Sequence, residues 1–266
     1  MTRHIRRAIT ALALGLPLAA AAQLAPGGAV RIGVEGAYPP FSQVGADGQL
    51  KGFDIDIAHA LCEQMKARCT LVQQDFDGMI PALNARKFDA IVASLSITEE
   101  RKKAVAFSDK YYKTPNRVII KAGSGLVVSP EGLKGKRIGV QRATINDRFA
   151  TDTFKHSEIV RYAKQDDIYL DLAAGRLDAT LVDAVAADAG FLKRDQGKGF
   201  VFAGPAYTDP AYFGHGVGVA VRRNDPALLQ SLNVAIAAIR ANGTYQKLQD
   251  KYFDFDIYGD AAAAQK

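Results

Sequence analysis

The chain has 266 residues, 48% of them hydrophobic, and a formal net charge of +6, which is enough length and apolar content for two lobes with separate cores. Half of that charge sits in residues 1–22, which hold three arginines and no acid, so their removal takes +6 to +3. No basic run remains to support a nucleic-acid partner, and no later stretch is apolar enough to span a bilayer.

Arg3, Arg6 and Arg7 precede an Ala/Leu-rich run from Ala8 to Ala22, and Ala20-Ala21-Ala22 offers a small-residue cleavage site. This reads as a signal peptide cleaved near Ala22, exporting the chain by ordinary secretion; Arg6-Arg7 is a weak twin-arginine signal. Val30 to Val34 alternates like a strand and runs into Glu35, Tyr38, Pro39 and Pro40, a loop at a strand's C-terminal end. Asp47-Gly48 marks a hairpin turn. A helix is expected from Asp54 to Ala67, with Ile57, Ala58, Leu61 and Met65 on one face, and a strand from Thr70 to Val72. Cys62 and Cys69, the only cysteines, lie at the end of that helix and before that strand, and a pair in an exported chain reads as a disulfide. Asp75 to Gly78 opens a short helix, Met79 to Ala85, with Pro81 in its first turn.

The stretch from Val92 to Arg101 follows. An apolar strand breaks into Ser94 and Ser96, then restarts as a helix with Thr98 as N-cap and Glu99 and Glu100 in the first turn. Arg101 sits at the unfavourable pole of that helix. Either it pairs with Glu99 or Glu100 at the surface, or it joins the free N–H groups in a carboxylate or phosphate site.

After a connection from Phe107 to Arg117 the pattern restarts. Arg137-Ile138-Gly139-Val140 repeats Arg31-Ile32-Gly33-Val34, and the segment ending Leu177-Asp178-Ala179 repeats the one ending Phe88-Asp89-Ala90. In this register Gln141 answers Glu35 and Asp183 answers Ser94. The expected fold is α/β with two lobes of largely parallel sheet, joined by a two-strand hinge, their carboxyl ends facing one cleft. The expected lobes are 23–113 with 217–266, and 114–216. A long amphipathic helix begins at Pro226 and ends at Asn242-Gly243, a shorter one runs from Thr244 to Lys251, and Ala261 to Lys266 is a tail.

Gly52-Phe53-Asp54-Ile55-Asp56, Cys62 with Cys69, Phe76 to Pro81, Ser94 to Thr98 with Arg101, Gly175 to Asp178, and Asn242 to Tyr245 with Lys251-Tyr252-Phe253 together resemble the periplasmic solute-binding proteins for polar amino acids that serve ABC importers, especially lysine/arginine/ornithine and arginine/ornithine binders. The resemblance covers nearly all of Val30 to Gly259. It implies that Arg101 grips an α-carboxylate, helped by backbone at Ser96 and Thr144. Ser94 and Asp183 would receive the α-ammonium, Tyr38 and Phe76 would sandwich the side chain, and Glu35 would meet its distal cation. Gln141, Asn146 and Ala93 complete the implied ligand set. Ala93 stands where close relatives often have serine, Ala143 where glycine is common, and Asn146 where many have glutamine. Taken without the resemblance, Phe76 and Tyr38 could be core aromatics and Glu35 a solvated loop acid.

The reading is therefore a receptor for a basic L-amino acid, docking on a membrane permease, monomeric, without cofactor or nucleic acid. Arginine or ornithine is favoured over lysine or histidine. The alternative is an enzyme on the same fold, such as a cyclohexadienyl dehydratase; no nucleophile–histidine pair supports it, and His59, His156 and His215 lack metal-ligand spacing.

Overall fold

The computed structural model describes residues 27–259; the leader and the tail expected from sequence lie outside the described residues. Lobe-forming elements run in order from β1 (Ala29–Val34), β2 (Ala37–Tyr38), β3 (Ser42–Val44) and β4 (Leu50–Lys51) to α1 (Phe53–Gln64), β5 (Arg68–Gln73), α2 (Met79–Asn84), β6 (Ala90–Ile91), α3 (Glu99–Lys102) and β7 (Ala106–Tyr112). The second half holds β8 (Asn116–Lys121), β9 (Arg137–Gln141), α4 (Ile145–Thr153), β10 (Glu158–Tyr162), α5 (Gln165–Ala173), β11 (Ala179–Asp183), α6 (Ala184–Ala187), β12 (Phe200–Tyr207) and α7 (Pro210–Phe213). The chain then returns through β13 (Val217–Val221), α8 (Pro226–Ala241) and α9 (Thr244–Tyr252). The helix expected to reach Ala67 stops at Gln64, because Lys66 turns left-handed (φ 53°) and Ala67 caps back onto Cys62.

Two five-stranded sheets have matching order, β5-β1-β6-β13-β7 and β10-β9-β11-β8-β12. In each, the first three strands pair in parallel and the last two antiparallel. The chain passes from the first sheet to the second between β7 and β8, and back between β12 and β13. The Cys62–Cys69 disulfide ties α1 to β5, with Cα atoms 6.1 Å apart.

The sequence repeat has a packing cause. Arg31 and Asp89 exchange backbone and side-chain hydrogen bonds; in the second lobe Arg137 and Asp178 repeat the backbone bonds, with their side chains in a 3.7 Å ion pair. This brings the loop before β6 or β11 over the middle of β1 or β9. A Cβ on Gly33 would stand 2.7 Å from the Phe88 ring, and one on Gly139 would stand 2.5 Å from Leu177. Each repeated glycine is thus the seat of the apolar residue in the other repeat. Gly33→Ala should destabilise the fold by about 1–3 kcal/mol through overpacking against fully buried Phe88. Scanning calorimetry should show a lower Tm, partly restored by adding Phe88→Leu; an unchanged Tm would mean the ring has room to shift.

Candidate functional site

The parallel strands deliver their C-terminal ends to one cleft between the sheets. Glu35 follows β1, Ser94 follows β6, Gln141 ends β9 and Asp183 ends β11. The cleft is lined by these four with Tyr38, Phe76, Ser96, Arg101, Thr144 and Asn146, which gathers ten of the residues expected from sequence. Ala93 is the exception and does not line it. Ser94 takes a left-handed backbone (φ 52°), so Ala93 is turned inward and packs, 1% exposed, with Phe76, Met79 and Leu95.

Arg101 is placed by its helix. Thr98 Oγ1 accepts the Arg101 N–H at 3.2 Å and caps α3. The surface pairing open in the sequence does not form, because Glu99 pairs with Lys102 (2.7 Å) and Glu100 with Lys103 (2.6 Å). The Arg101 guanidinium turns into the cleft, donates to the Ser96 carbonyl (3.1 Å) and the Ala143 carbonyl (3.3 Å), and lies 5.5 Å from the Phe76 ring centre. Among the described residues no carboxylate pairs with it, and burial alone lowers its pKa to about 10. A partly buried cation held by two carbonyls and a ring face, with no acid beside it, has the chemistry to take an anion.

The opposite charge is stranded in the same way. Glu35 is 4% exposed, with no basic partner among the described residues. Burial raises its pKa to about 7; the Gln141 amide, donating at 2.6 Å, opposes the shift, and Asp54, Asp75 and Asp166 add to it. Asp183 is raised to about 6 by burial, against hydrogen bonds from Thr114 and from the backbone N–H groups of Ala186 and Val185. Tyr38 stacks on Phe41 (ring centres 5.9 Å apart), and Phe76 is also buried.

Sequence reading missed the contribution of the crossings. Tyr112, Lys113, Thr114 and Asn116 from the outward crossing, and Thr208, Phe213, Gly214, Gly216 and Val217 from the return, also line the cleft, as does Ile145. Thr114 matters most, since its hydroxyl donates to Asp183. Its only sequence signal is its place beside Pro115 in the connection.

Three consecutive residues at the start of the second lobe's β9–α4 loop reach the first lobe. Gln141 donates to Glu35, Arg142 pairs with Asp77 at 2.5 Å, and the Ala143 carbonyl accepts from Arg101. Gln141 also donates to the Ala163 carbonyl, so its amide is already engaged.

Residues 30–255 match the bacterial extracellular solute-binding proteins, family 3. The chain belongs to that family. This family 3 member is 54% identical over 232 residues to an L-arginine-binding protein of Pseudomonas aeruginosa, covering 86% of this chain and 90% of the relative. It is 46% identical over 260 residues to the lysine/arginine/ornithine-binding periplasmic protein of Escherichia coli, covering 96% and 100%. Among solved structures, a periplasmic binding protein of Salmonella typhimurium described for high arginine specificity superposes with a TM-score of 0.79 at 33% identity, covering 85% of this chain and 100% of that one. No helix among the described residues is long and apolar enough to cross a membrane.

Proposed function

We propose that this family 3 member is a periplasmic receptor that binds a basic L-amino acid, arginine foremost, and delivers it to the permease of an ABC importer. The carrying observation is the charge inventory of one cleft. Among the described residues Arg101 is a partly buried cation turned into the cleft without an acid, and Glu35 and Asp183 are buried acids without a base; Lys113 also lines the cleft but is an exposed residue. L-Arginine supplies one carboxylate and two cations. The carboxylate goes to Arg101, the ammonium to Asp183 with Ser94, and the guanidinium to Glu35. Tyr38 and Phe76 flank the aliphatic stem between them, and a guanidinium also stacks on such rings. The names of the relatives point the same way.

Within the described residues the lobes are 27–113 with 217–259, and 114–216, and the crossings between them are the hinge. The protein acts by binding and not by catalysis, as a monomer that reaches the periplasm on the leader at 1–22. No histidine lines the cleft among the described residues, and Arg101, Glu35 and Asp183 each have a counterpart among the ligand's charges.

Titration calorimetry on refolded, ligand-stripped protein against L-arginine, L-ornithine, L-lysine, L-histidine and L-glutamine tests the reading. Arginine should bind tightest and glutamine weakest of the five. Turnover of prephenate or arogenate by the same preparation, or glutamine binding as tightly as arginine, would overturn it.

A further inference from the structure

Asp54 is fully buried behind the cleft and does not line it. One carboxylate oxygen accepts from the Ser94 hydroxyl at 2.9 Å, and the other accepts from the Tyr111 hydroxyl at 2.9 Å. A serine hydroxyl has a single proton and two lone pairs. Since Ser94 gives its proton to Asp54, only lone pairs remain for the cavity that Ser94 lines. Thr114 repeats the device at the crossing, where its one proton goes to Asp183. Two hydroxyls in the same cleft are therefore each committed to a buried carboxylate and are left as acceptors.

We propose that Asp54 is a positioning residue that acts through Ser94 to make this part of the cleft an acceptor-only surface, and that Tyr111 holds Asp54 in that role. The inference rests on the reading that the cleft takes an amino acid. An acceptor-only surface receives an ammonium, which has three protons to give. It rejects a group that brings only lone pairs, or no donor, to the same place. A rotating hydroxyl would not make that distinction, because it could donate as readily as accept. Asp54 thus sets how strongly the protein tells an α-amino acid from the same molecule without its amine. A purely structural role, pinning α1 to β7, would not affect that ratio.

The test compares L-arginine with its des-amino analogue, 5-guanidinopentanoate, by calorimetry on the wild-type protein and on Asp54→Asn, Ser94→Ala, Tyr111→Phe and the Asp54→Asn/Ser94→Ala double variant. Measurements are made at pH 8, above the value of about 7 to which burial raises Asp54. Asparagine keeps the shape of Asp54 but can turn its amide N–H to Ser94, which frees the serine proton to point into the cleft. The ratio of affinities, arginine over analogue, should fall about tenfold in Asp54→Asn and in Ser94→Ala, with no further fall in the double variant. Tyr111→Phe, which leaves every cleft-lining side chain in place, should lower the ratio a few-fold. An unchanged ratio in folded Asp54→Asn overturns the proposal. If that variant does not fold, an unchanged ratio in Tyr111→Phe does so. Failure of the wild-type protein to bind arginine at all would strike the amino-acid reading instead.

Discussion

Arg101→Ala should severely weaken binding of every amino acid. Among the described residues the guanidinium turns into the cleft without an acid, so its loss leaves a ligand carboxylate desolvated and unpaired. Removing one member of such a pair costs about 2–5 kcal/mol, a loss of about thirtyfold to several thousandfold in Kd. Arg101→Lys should recover little. An ammonium cannot offer two parallel N–H groups to a carboxylate while it donates to the Ser96 and Ala143 carbonyls. Calorimetry with arginine, lysine and glutamine checks this. Near-normal affinity in the alanine variant would remove Arg101 from the site.

The second large effect concerns Glu35. With a cationic side chain against it, Glu35→Gln should weaken arginine by at least about 1–3 kcal/mol and leave glutamine nearly unaffected. Equal losses for both ligands, or none for arginine, would sink the assignment. The wild-type protein should also show a pH signature. Glu35 without ligand titrates near 7 because it is buried, and Asp183 near 6. A bound cation lowers both. A carboxylate whose pKa falls on binding contributes affinity above its ligand-free pKa and loses that contribution as pH drops. Arginine affinity should therefore be level above about pH 8 and decline from pH 7 to pH 5, by up to about tenfold per pH unit for each group. Glu35→Gln should shrink the upper step, leaving the share of Asp54, which burial also raises to about 7. The same linkage predicts that the variant, without ligand, melts no lower than the wild type at pH 8, since a raised carboxylate pKa costs stability above it.

The place of Arg101 in the cleft was legible in the sequence because it breaks a local rule. An arginine in the first turn of a helix capped by Thr98 is electrostatically misplaced, and the structure resolves the conflict by turning it inward. The doubled fold was legible for a different reason. Gly33 with Phe88, and Gly139 with Leu177, are lock-and-key pairs, so they recur in the same order. Ala93 was not placed correctly, because the left-handed turn at Ser94 sets which of two neighbours faces the cleft, and serine carries no strong signal for that conformation. Thr114 and the return-crossing residues were invisible as site residues. They reach the cleft only because β8 and β13 lie beside β11 and β6, a long-range fact with no local pattern.

The Arg142–Asp77 pair joins residues on opposite sides of the cleft, and neither lines it. On the proposed hinge it would act on occupancy through the open–closed equilibrium of the empty receptor. A half-exposed pair contributes at most about 1 kcal/mol, which multiplies the closed population by about five. Ligand binds productively to that population, so the measured affinity carries the same factor without any added contact. Ionic strength screens the pair and should draw that factor back towards one. Two laboratories using different buffers would then report different affinities for the same unaltered binding site.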